Sequence, residues 1–373
     1  MSEIKVTPVN SQYELKQFIK FPWEIYKDSP NWIPPLIQER KAILNRNKNP
    51  FFLHSEMELF IAWKNEKPVG RIAAIKNDRH NKYHNENAGF LGFFESINCQ
   101  ETAGRLFDSA AEWLRLKGLT RILGPANPSS NNDWGLLTEG FEYPPAFMMP
   151  YNPEYYLKLF ENYGFQKAKD LLGYKLSREI ITKSEKIKRI VDLTKERYKI
   201  KIKQIDLKNF DEELEKVKFV YNKAWAPNWG FVPFTDEEIT AVANDLKKLI
   251  DPRLVLFAEV DGEPVGFSLT MLDYNYILNK MNGKMFPFGF LKLFTERKNI
   301  QWARILTLGI IPEYRKRGVD ALLYWELLNN GVGMGLQYAE ASWILEDNEM
   351  MNNAVLNLGG KLYKKYRIYQ IEL

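Results

Sequence analysis

The chain has 373 residues, of which 45% are hydrophobic and 27% charged, with a net charge of +5. This length exceeds the usual size of one compact core, so two domains are expected, and the composition is that of an ordinary soluble globular protein. The mild charge is far from a nucleic-acid-binding signature. The single Cys99 excludes an internal disulfide framework and fits a reducing cytoplasm, and no apolar run approaches the ~20 residues of a membrane span. Neither a nucleic acid nor a membrane is expected as a partner.

The first half predicts a sheet covered by helices. Its amphipathic helix at 103–114 has apolar residues at the i, i+3, i+4 spacing. Residues 125–151 are rich in Pro, Asn, Gly and aromatics, and so long a loop is often functional. The three histidines, His54, His80 and His84, are too few and too irregularly placed for a zinc site, so no metal is expected. The remaining elements predicted here are strands at 4–9, 89–94 and 120–123, a hairpin at 59–75, and helices at 12–26 and from Asn152-Pro153 to Gly164.

The second half predicts a similar series of elements. The basic run 183–203 indicates a solvated helix face followed by a strand, with nucleic-acid binding as the alternative. Thr235 and Glu238 form a capping box for a helix, and Asp261-Gly262 is typical of a hairpin turn. Helices at 211–225 and 319–330 and a strand at 338–345 complete the series, and the glycines at 331, 333 and 335 indicate helix termination.

The two halves share landmarks at one spacing. Ala62 recurs as Ala258, and Pro68-Val69-Gly70 recurs as Pro264-Val265-Gly266, at an offset of 196 residues. Asn152 and Asn348 share that offset, as do Gly164 and Gly360. Four landmarks at a single offset predict an internal duplication, with chance recurrence of Pro-Val-Gly as the alternative.

The stretch 306–323 has the pattern of an anion site. An apolar strand leads through Pro312 into the basic loop Arg315-Lys316-Arg317-Gly318 and then into an apolar helix. Amide groups at a helix N-terminus favour an anion, the three side chains add positive charge, and glycine allows close approach of a ligand. The alternative is an ordinary turn with solvated basic residues.

This stretch resembles the pyrophosphate loop of the GNAT acyltransferase superfamily, Arg/Gln-x-x-Gly-x-Gly/Ala between a strand and a helix. The matching residues are Arg315, Gly318 and Asp320, and Asp320 departs from the family's small residue. The resemblance implies acetyl-CoA or another acyl-CoA as the cofactor, with a strand segment contacting the pantetheine arm and an asparagine at the end of the next strand. The implied cofactor-binding residues are Leu308, Gly309, Ile310, Arg315, Lys316, Arg317, Gly318, Val319, Asp320, Ala321 and Asn348.

Over nearly the whole chain the order of elements also resembles GNAT architecture. The resemblance implies an α/β (α+β) fold of two tandem GNAT-like domains, each a mixed, mostly antiparallel sheet flanked by helices. Residues 1–185 form the first domain and residues 186–373 the second. The first has Glu95-Ser-Ile-Asn-Cys-Gln-Glu101 in place of the basic loop, so only the second is expected to bind the cofactor.

Candidates for the chemistry and the acceptor are less distinct. The family's general-acid tyrosine is replaced, since its expected position falls on Val355. Glu346 is the candidate base, with Asp347 second, and solvated loop carboxylates are the alternative. Two aromatic stretches are candidates to bind the acceptor unless they seal the interface between the halves; their residues are Trp229, Phe231, Asp133, Trp134 and Glu139.

The sequence therefore predicts a cytoplasmic N-acyltransferase that transfers an acyl group to an amine of a small molecule or peptide by direct attack. Two alternatives stay open. One is a non-catalytic CoA-binding or interaction protein, favoured by Asp320 and the missing tyrosine. The other is an aminoacyl or peptidyl transferase, as in tandem-GNAT enzymes that use a tRNA carrier.

Overall fold

The computed structural model describes residues 3–179, 185–285 and 289–373, and two compact units divide the chain. Unit 1 comprises Met1–Leu171, Ile277–Phe294 and Lys364–Leu373, and unit 2 comprises Leu172–Tyr276 and Thr295–Tyr363. Neither unit is continuous in sequence, because a segment of the second half and the end of the chain fold with the first half. The predicted boundary lies beside residues 180–184, which fall outside the described residues, and it stays a prediction.

The strands are β1 Lys5–Pro8, β2 Ser55–Lys64, β3 Lys67–Asn77, β4 Ala88–Ser96, β5 Arg121–Gly124, β6 Ala126–Asn127, β7 Asp133–Trp134, β8 Leu136–Glu139, β9 Gln166–Ser177, β10 Lys201–Gln204, β11 Val255–Val260, β12 Glu263–Leu272, β13 Trp302–Ile310, β14 Tyr338–Leu345 and β15 Lys361–Glu372. The helices are α1 Gln12–Lys20, α2 Pro22–Ile25, α3 Ile37–Ile43, α4 Asp78–His84, α5 Gln100–Leu116, α6 Tyr155–Tyr163, α7 Glu185–Tyr198, α8 Phe210–Trp225, α9 Asp236–Lys247, α10 Asn275–Met281, α11 Gly289–Thr295, α12 Val319–Gly333 and α13 Glu349–Asn357.

Unit 1 contains a mixed sheet in the order β1-β2-β3-β4-β5-β15-β9. Strands β1 to β4 pair antiparallel, β4 and β5 pair parallel, and β15 pairs antiparallel with β5. The predicted amphipathic face of α5 is buried, and its Phe107 stacks on Phe94 of β4 with 4.9 Å between the ring centroids. Burial of these large aromatic side chains against the sheet stabilises this unit.

In unit 2 the order of the strands is β9-β14-β13-β12-β11-β10. Strands β10 to β13 pair antiparallel, whereas β13 and β14 pair parallel. Helix α12 is apolar on most of its surface and contacts β11, β12 and β13. Mostly antiparallel strands flanked by helices in each unit confirm the predicted α/β (α+β) fold class.

The two units repeat the same hairpin. Ala62 lies opposite Gly70 in unit 1, and Ala258 lies opposite Gly266 in unit 2. Each hairpin shifts register directly after that alanine. A shared register with a bulge at the same position supports the predicted duplication, because a bulge is a specific feature of a strand pair.

Three predicted elements differ in detail. The helix predicted at 12–26 is divided into α1 and α2, with Pro22 at the first position of α2, where its missing N–H is tolerated. The predicted loop 125–151 contains the short strands β6, β7 and β8. The helix expected from Asn152 begins at Tyr155, because the Asn152 side chain instead exchanges two hydrogen bonds with the backbone of Leu137. No helix in the described ranges is both long enough and apolar enough to cross a membrane.

The buried His80 in α4 makes stability depend on pH. Burial lowers the pKa of its imidazole to about 4, although a hydrogen bond with Glu86 favours the charged form. As the pH falls from about 6.5 to 4, the unfolded chain binds a proton that the folded chain does not, and stability is lost. We expect this titration to lower the free energy of unfolding by about 3 kcal/mol.

Urea denaturation of the wild type and of His80→Gln between pH 7 and pH 4 isolates this contribution. As the pH decreases, the free energy of unfolding of the variant should fall less steeply than that of the wild type. The variant lacks the His80 imidazole, whereas the other titrating groups are common to both proteins. Parallel pH profiles for the two proteins would contradict the assignment.

Candidate active site

Strands β13 and β14 diverge at the centre of unit 2. Their parallel pairing runs from Trp302 opposite Tyr338 to Ile305 opposite Ala341. Beyond this point β13 continues to Ile310 and β14 to Leu345. We call the region between residues 306–310 and 342–345 the β13–β14 wedge. Backbone groups that face such a wedge are available to an extended ligand, as at an exposed sheet edge.

Two buried polar atoms lie on the strands that border the wedge. Thr307 Oγ1 on β13 and Trp343 Nε1 on β14 are buried without a hydrogen-bond partner among the described residues. A buried polar atom that lacks a partner is costly, so such atoms mark places where a ligand or water completes the hydrogen bonding. The wedge is therefore a candidate binding site for a ligand with polar groups.

The predicted anion loop connects β13 to the start of α12. Lys316 and Gly318 adopt left-handed backbone conformations, with φ of 59° and 78°. Gly318 is the N-cap and provides no side chain to the first-turn amides of α12. Lys316 and Arg317 are exposed, and the Arg317 guanidinium lies 4.9 Å from the ring centroid of Tyr314. Uncapped amides beside two exposed cations favour an anion.

The Arg315 side chain forms hydrogen bonds with backbone carbonyl groups of the protein. Its Nε donates to the carbonyl oxygen of Ile310 at 3.2 Å, and its Nη2 donates to that of Ala224 at 2.9 Å. The guanidinium thus joins the loop to the end of β13 and to the last turns of α8. This arrangement indicates that Arg315 shapes the loop, while Lys316 and Arg317 supply the exposed charge.

Gly318 is required by packing as well as by its φ. A Cβ at this position would lie 2.3 Å from Thr194 Oγ1 of α7. We expect Gly318→Ala to lower the free energy of unfolding by about 2–4 kcal/mol, from left-handed strain and overpacking together.

Adding Thr194→Ala to Gly318→Ala should restore the part of the free energy of unfolding that is lost to overpacking and leave the cost of the left-handed backbone. Urea denaturation of both single variants and of the double variant measures these free energies. Strictly additive losses in this cycle would contradict the contact.

Gly309 brings an aromatic cluster onto β13. A Cβ there would lie 2.0 Å from the indole of Trp225, so only glycine allows this ring to lie against the strand. Trp225 stacks on Tyr221 at 4.9 Å, and Phe231 and Phe234 lie 5.5 and 5.8 Å from Tyr221. These four residues, the α8 aromatic cluster, form an apolar surface beside the strand that borders the wedge.

In unit 1 the corresponding region is filled by the chain itself. Pairing of β4 with β5 ends at Phe90 opposite Leu123, while β4 continues. The chain then returns beside β4 as β6, where Asn127 Oδ1 accepts a hydrogen bond from the amide of Phe93. A Cβ on Gly92 would lie 1.9 Å from the carbonyl oxygen of Ala126, so backbone already occupies this place.

Glu95, near the end of β4 in unit 1, forms an ion pair with the buried Arg71. Glu95 lies 3.5 Å from Arg71 and accepts a hydrogen bond from the hydroxyl of Tyr156 at 2.7 Å. Burial raises the pKa of the Glu95 carboxyl, an effect that the Arg71 charge opposes. The carboxylate thus has structural partners in its own unit.

A polar cluster that the sequence analysis did not identify lies at the base of the β13–β14 wedge. Arg304 and Glu340 are partners in the parallel register, one residue before the strands diverge, and both side chains are buried. Arg304 Nε donates to Ser342 Oγ at 2.9 Å, and its guanidinium lies 4.9 Å from the ring centroid of Trp343. The hydroxyl of Tyr363 on β15 donates a hydrogen bond to Glu340. This cluster places a carboxylate and a phenol together beside the wedge.

The predicted catalytic residues follow β14. Glu346 is half-buried and Asp347 is exposed in the turn after the strand. Asn348 is the N-cap of α13, and its Oδ1 accepts from the amide of Met351 at 3.2 Å. Val355 is buried in the core of unit 2. The roles of Glu346 and Asp347 as bases and of Asn348 as a cofactor ligand stay predictions.

The predicted acceptor residues fall into separate units. In unit 2, Trp229 is half-buried and Phe231 belongs to the α8 aromatic cluster. In unit 1, Asp133 lies 3.4 Å from Arg40, Trp134 packs on Phe90, and Glu139 pairs with Lys365. The residues of unit 1 thus have contacts within that unit, and the acceptor site stays a prediction.

The chain is similar to known proteins in sequence and in fold. No family model matches the chain. It is 36% identical over 366 residues to Protein YghO of Escherichia coli, covering 96% of this chain and 93% of the relative. It is 34% identical over 383 residues to the bacterial ceramide synthase of Caulobacter vibrioides, covering 99% and 97%. A solved tandem GNAT protein from the clavulanic acid biosynthesis pathway superposes with a TM-score of 0.59, 12% identity and coverage of 99% and 98%.

The last comparison shows the fold, and it confirms the predicted tandem GNAT architecture. Identity above 30% across almost the full length of two curated relatives shows the family. The chain belongs to the family of Protein YghO of Escherichia coli and the bacterial ceramide synthase of Caulobacter vibrioides, and it has the tandem GNAT fold.

Proposed function

We propose that the chain is an acyl-CoA-dependent N-acyltransferase whose donor site is the β13–β14 wedge of unit 2. The observation that carries this proposal is the divergence of the two strands after Ile305 and Ala341, next to the basic loop that begins α12. The same fold in unit 1 has backbone in the corresponding place, which favours a single donor site in the chain.

The residues at this site fit an acyl-CoA. Lys316, Arg317 and the first-turn amides of α12 would hold the pyrophosphate, because they combine positive charge with backbone donors. Backbone groups of 306–310 and 342–345 would hold the pantetheine arm, with Thr307 Oγ1 and Trp343 Nε1 as further polar contacts. When bound, an acyl-CoA supplies an activated thioester carbonyl.

The chain's own residues would supply orientation and proton transfer. Backbone amides of β13 beyond Ile305 would polarise the thioester carbonyl. An attacking amine must lose a proton, and the departing thiolate must gain one. The hydrogen-bonded Glu340 and Tyr363 are suited to these transfers, and Arg304 would keep the carboxylate in position. This pair joins Glu346 and Asp347 as candidates for the acid–base role.

The acceptor is proposed from the second relative and from the chemistry of the site. That relative is a bacterial ceramide synthase, and a ceramide is an amide formed on the amine of a long-chain amino alcohol. We infer that this chain also acylates a long-chain amino alcohol rather than a peptide. The apolar α8 aromatic cluster beside β13 supports an acceptor of this kind, since a hydrocarbon chain requires an apolar contact surface.

The test is a transfer assay with the purified full chain. Acyl-CoAs of two to eighteen carbons would be paired with a long-chain amino alcohol and with a short amino alcohol as the matched control. We expect amide product by mass spectrometry and release of free CoA in equal amounts, with the long-chain acceptor strongly preferred. Binding of acyl-CoA without amide formation would support the CoA-binding alternative, and neither binding of nor transfer from any acyl-CoA would favour the carrier-dependent alternative. Either result would overturn the proposal.

A further inference from the structure

The connection between β12 and β13 is much longer than its counterpart in unit 1. Residues 273–301 join β12 to β13, whereas residues 78–87 join β3 to β4. The longer connection carries α10 and α11. Helix α11 has the sequence Gly289-Phe-Leu-Lys-Leu-Phe-Thr295, and none of its residues is buried. Phe290, Leu291 and Phe294 are 37%, 47% and 79% exposed. Such a concentration of large exposed apolar side chains marks an interaction surface.

This surface is held on unit 1 by specific contacts. Trp23 Nε1 donates to Asn282 Oδ1 at 2.9 Å, and the amide of Ile37 donates to the carbonyl oxygen of Gly283 at 3.1 Å. Gly283 has a left-handed φ of 75°, and a Cβ there would lie 2.5 Å from the Trp23 ring. Lys292 Nζ of α11 donates to the carbonyl oxygen of Lys280 in α10 at 2.7 Å. The apolar side chains are therefore presented by an anchored element.

The charged residues of the same segment are all positive. Residues 277–294 contain Lys280, Lys284 and Lys292 and no acidic residue, so this short segment carries a net charge of +3. Lys280 and Lys284 are exposed. Lysines beside exposed phenylalanine and leucine match an anionic lipid surface, which offers phosphate groups next to an apolar layer.

We propose that α11 docks the protein on the surface of an anionic membrane, with Phe290, Leu291 and Phe294 in the headgroup region and the exposed Lys280 and Lys284 against lipid phosphates. The helix lies on the membrane and does not cross it. This differs from the sequence-based expectation of no membrane partner, which considered only a spanning segment. The proposal does not depend on the acyltransferase activity, because it rests on the exposed residues and charge of this segment alone.

Flotation of the full chain with lipid vesicles tests this proposal. We expect binding to vesicles that contain phosphatidylglycerol, weaker binding to phosphatidylcholine alone, and a loss of binding at high salt. The variant Leu291→Glu, Phe294→Asp should reduce the vesicle-bound fraction about tenfold. Leu116→Asp is the matched control, because Leu116 is also in unit 1 and is 80% exposed.

A second pair of variants separates charge from hydrophobicity. Lys280→Glu, Lys284→Glu should abolish the preference for anionic lipid, whereas Lys82→Glu, Lys158→Glu, two exposed lysines elsewhere in unit 1, should keep it. Thermal unfolding of each variant checks that the fold is retained. Equal vesicle binding by the wild type and the α11 variant would overturn the proposal. The proposal would also be overturned if neither protein bound vesicles and sedimentation showed self-association of the wild type but not of the α11 variant. In that case α11 would join two copies of the chain.

Discussion

Replacing Lys316 and Arg317 together by glutamate is expected to weaken acyl-CoA binding at least about a hundredfold. Both side chains are exposed in the loop that precedes α12, and the first turn of that helix has no side-chain cap. Two carboxylates there would repel the pyrophosphate in addition to removing two favourable charges. Calorimetric titration of an acyl-CoA into each protein measures the effect.

The matched control for this reversal is Lys201→Glu, Lys361→Glu, which changes the net charge by the same amount at two exposed positions of unit 2. This control should bind acyl-CoA with nearly the affinity of the wild type, because charges farther away than the Debye length are screened. A loss of equal size in both variants would show a general charge effect. It would remove the support for a pyrophosphate site in the loop.

Tyr363→Phe is expected to lower kcat about a hundredfold while leaving the Kd of acyl-CoA unchanged. The phenol donates a hydrogen bond to the buried Glu340, so its removal deprives the carboxylate of a partner and the site of a proton donor. Glu340→Gln should have an effect of similar size. The double variant should be hardly slower than either single variant, because groups that act as a unit are not additive.

The pH profile of kcat/KM distinguishes a chemical role for this pair from a structural one. If Glu340 and Tyr363 transfer protons, one limb of the wild-type profile should be lost in the variants. Glu346→Gln and Asp347→Asn provide the comparison, since both residues lie in the turn after β14. A normal profile in Tyr363→Phe together with a lost limb in Glu346→Gln would contradict the assignment and restore the sequence-based candidate.

Local patterns in the sequence were sufficient to predict much of the fold. Pro-Val-Gly after each turn predicted two matching hairpins, and the structure places both glycines opposite an alanine before a bulge. The capping box of Thr235 and Glu238 is present at the start of α9. These features depend on neighbours within a few residues, which is why a single sequence reveals them.

Which segments of the chain fold together in each unit was not predictable in this way. The end of the chain pairs with β5, and residues 277–294 pack with the first half. Such pairings depend on contacts between residues far apart in sequence. The basic loop was recognised, yet the hydrogen bond of Arg315 to Ala224 and the contact of Gly318 with Thr194 come from such distant segments.

The polar cluster at the base of the wedge was missed for the same reason. Arg304 and Glu340 each interrupt an apolar strand, and that interruption was the available signal. Their pairing follows from the parallel register, and the hydrogen bond from Tyr363 requires a third strand. A charged residue within a buried strand therefore indicates a partner, although the sequence alone does not identify it.

The most direct test of a single donor site in unit 2 is the stoichiometry of acyl-CoA binding, measured by calorimetric titration. We predict one site per chain, abolished by Lys316→Glu, Arg317→Glu and retained in Asn127→Ala, which alters only the filled region of unit 1. Two sites per chain, or a single site that the unit 1 variant abolishes while the unit 2 variant retains it, would contradict this account.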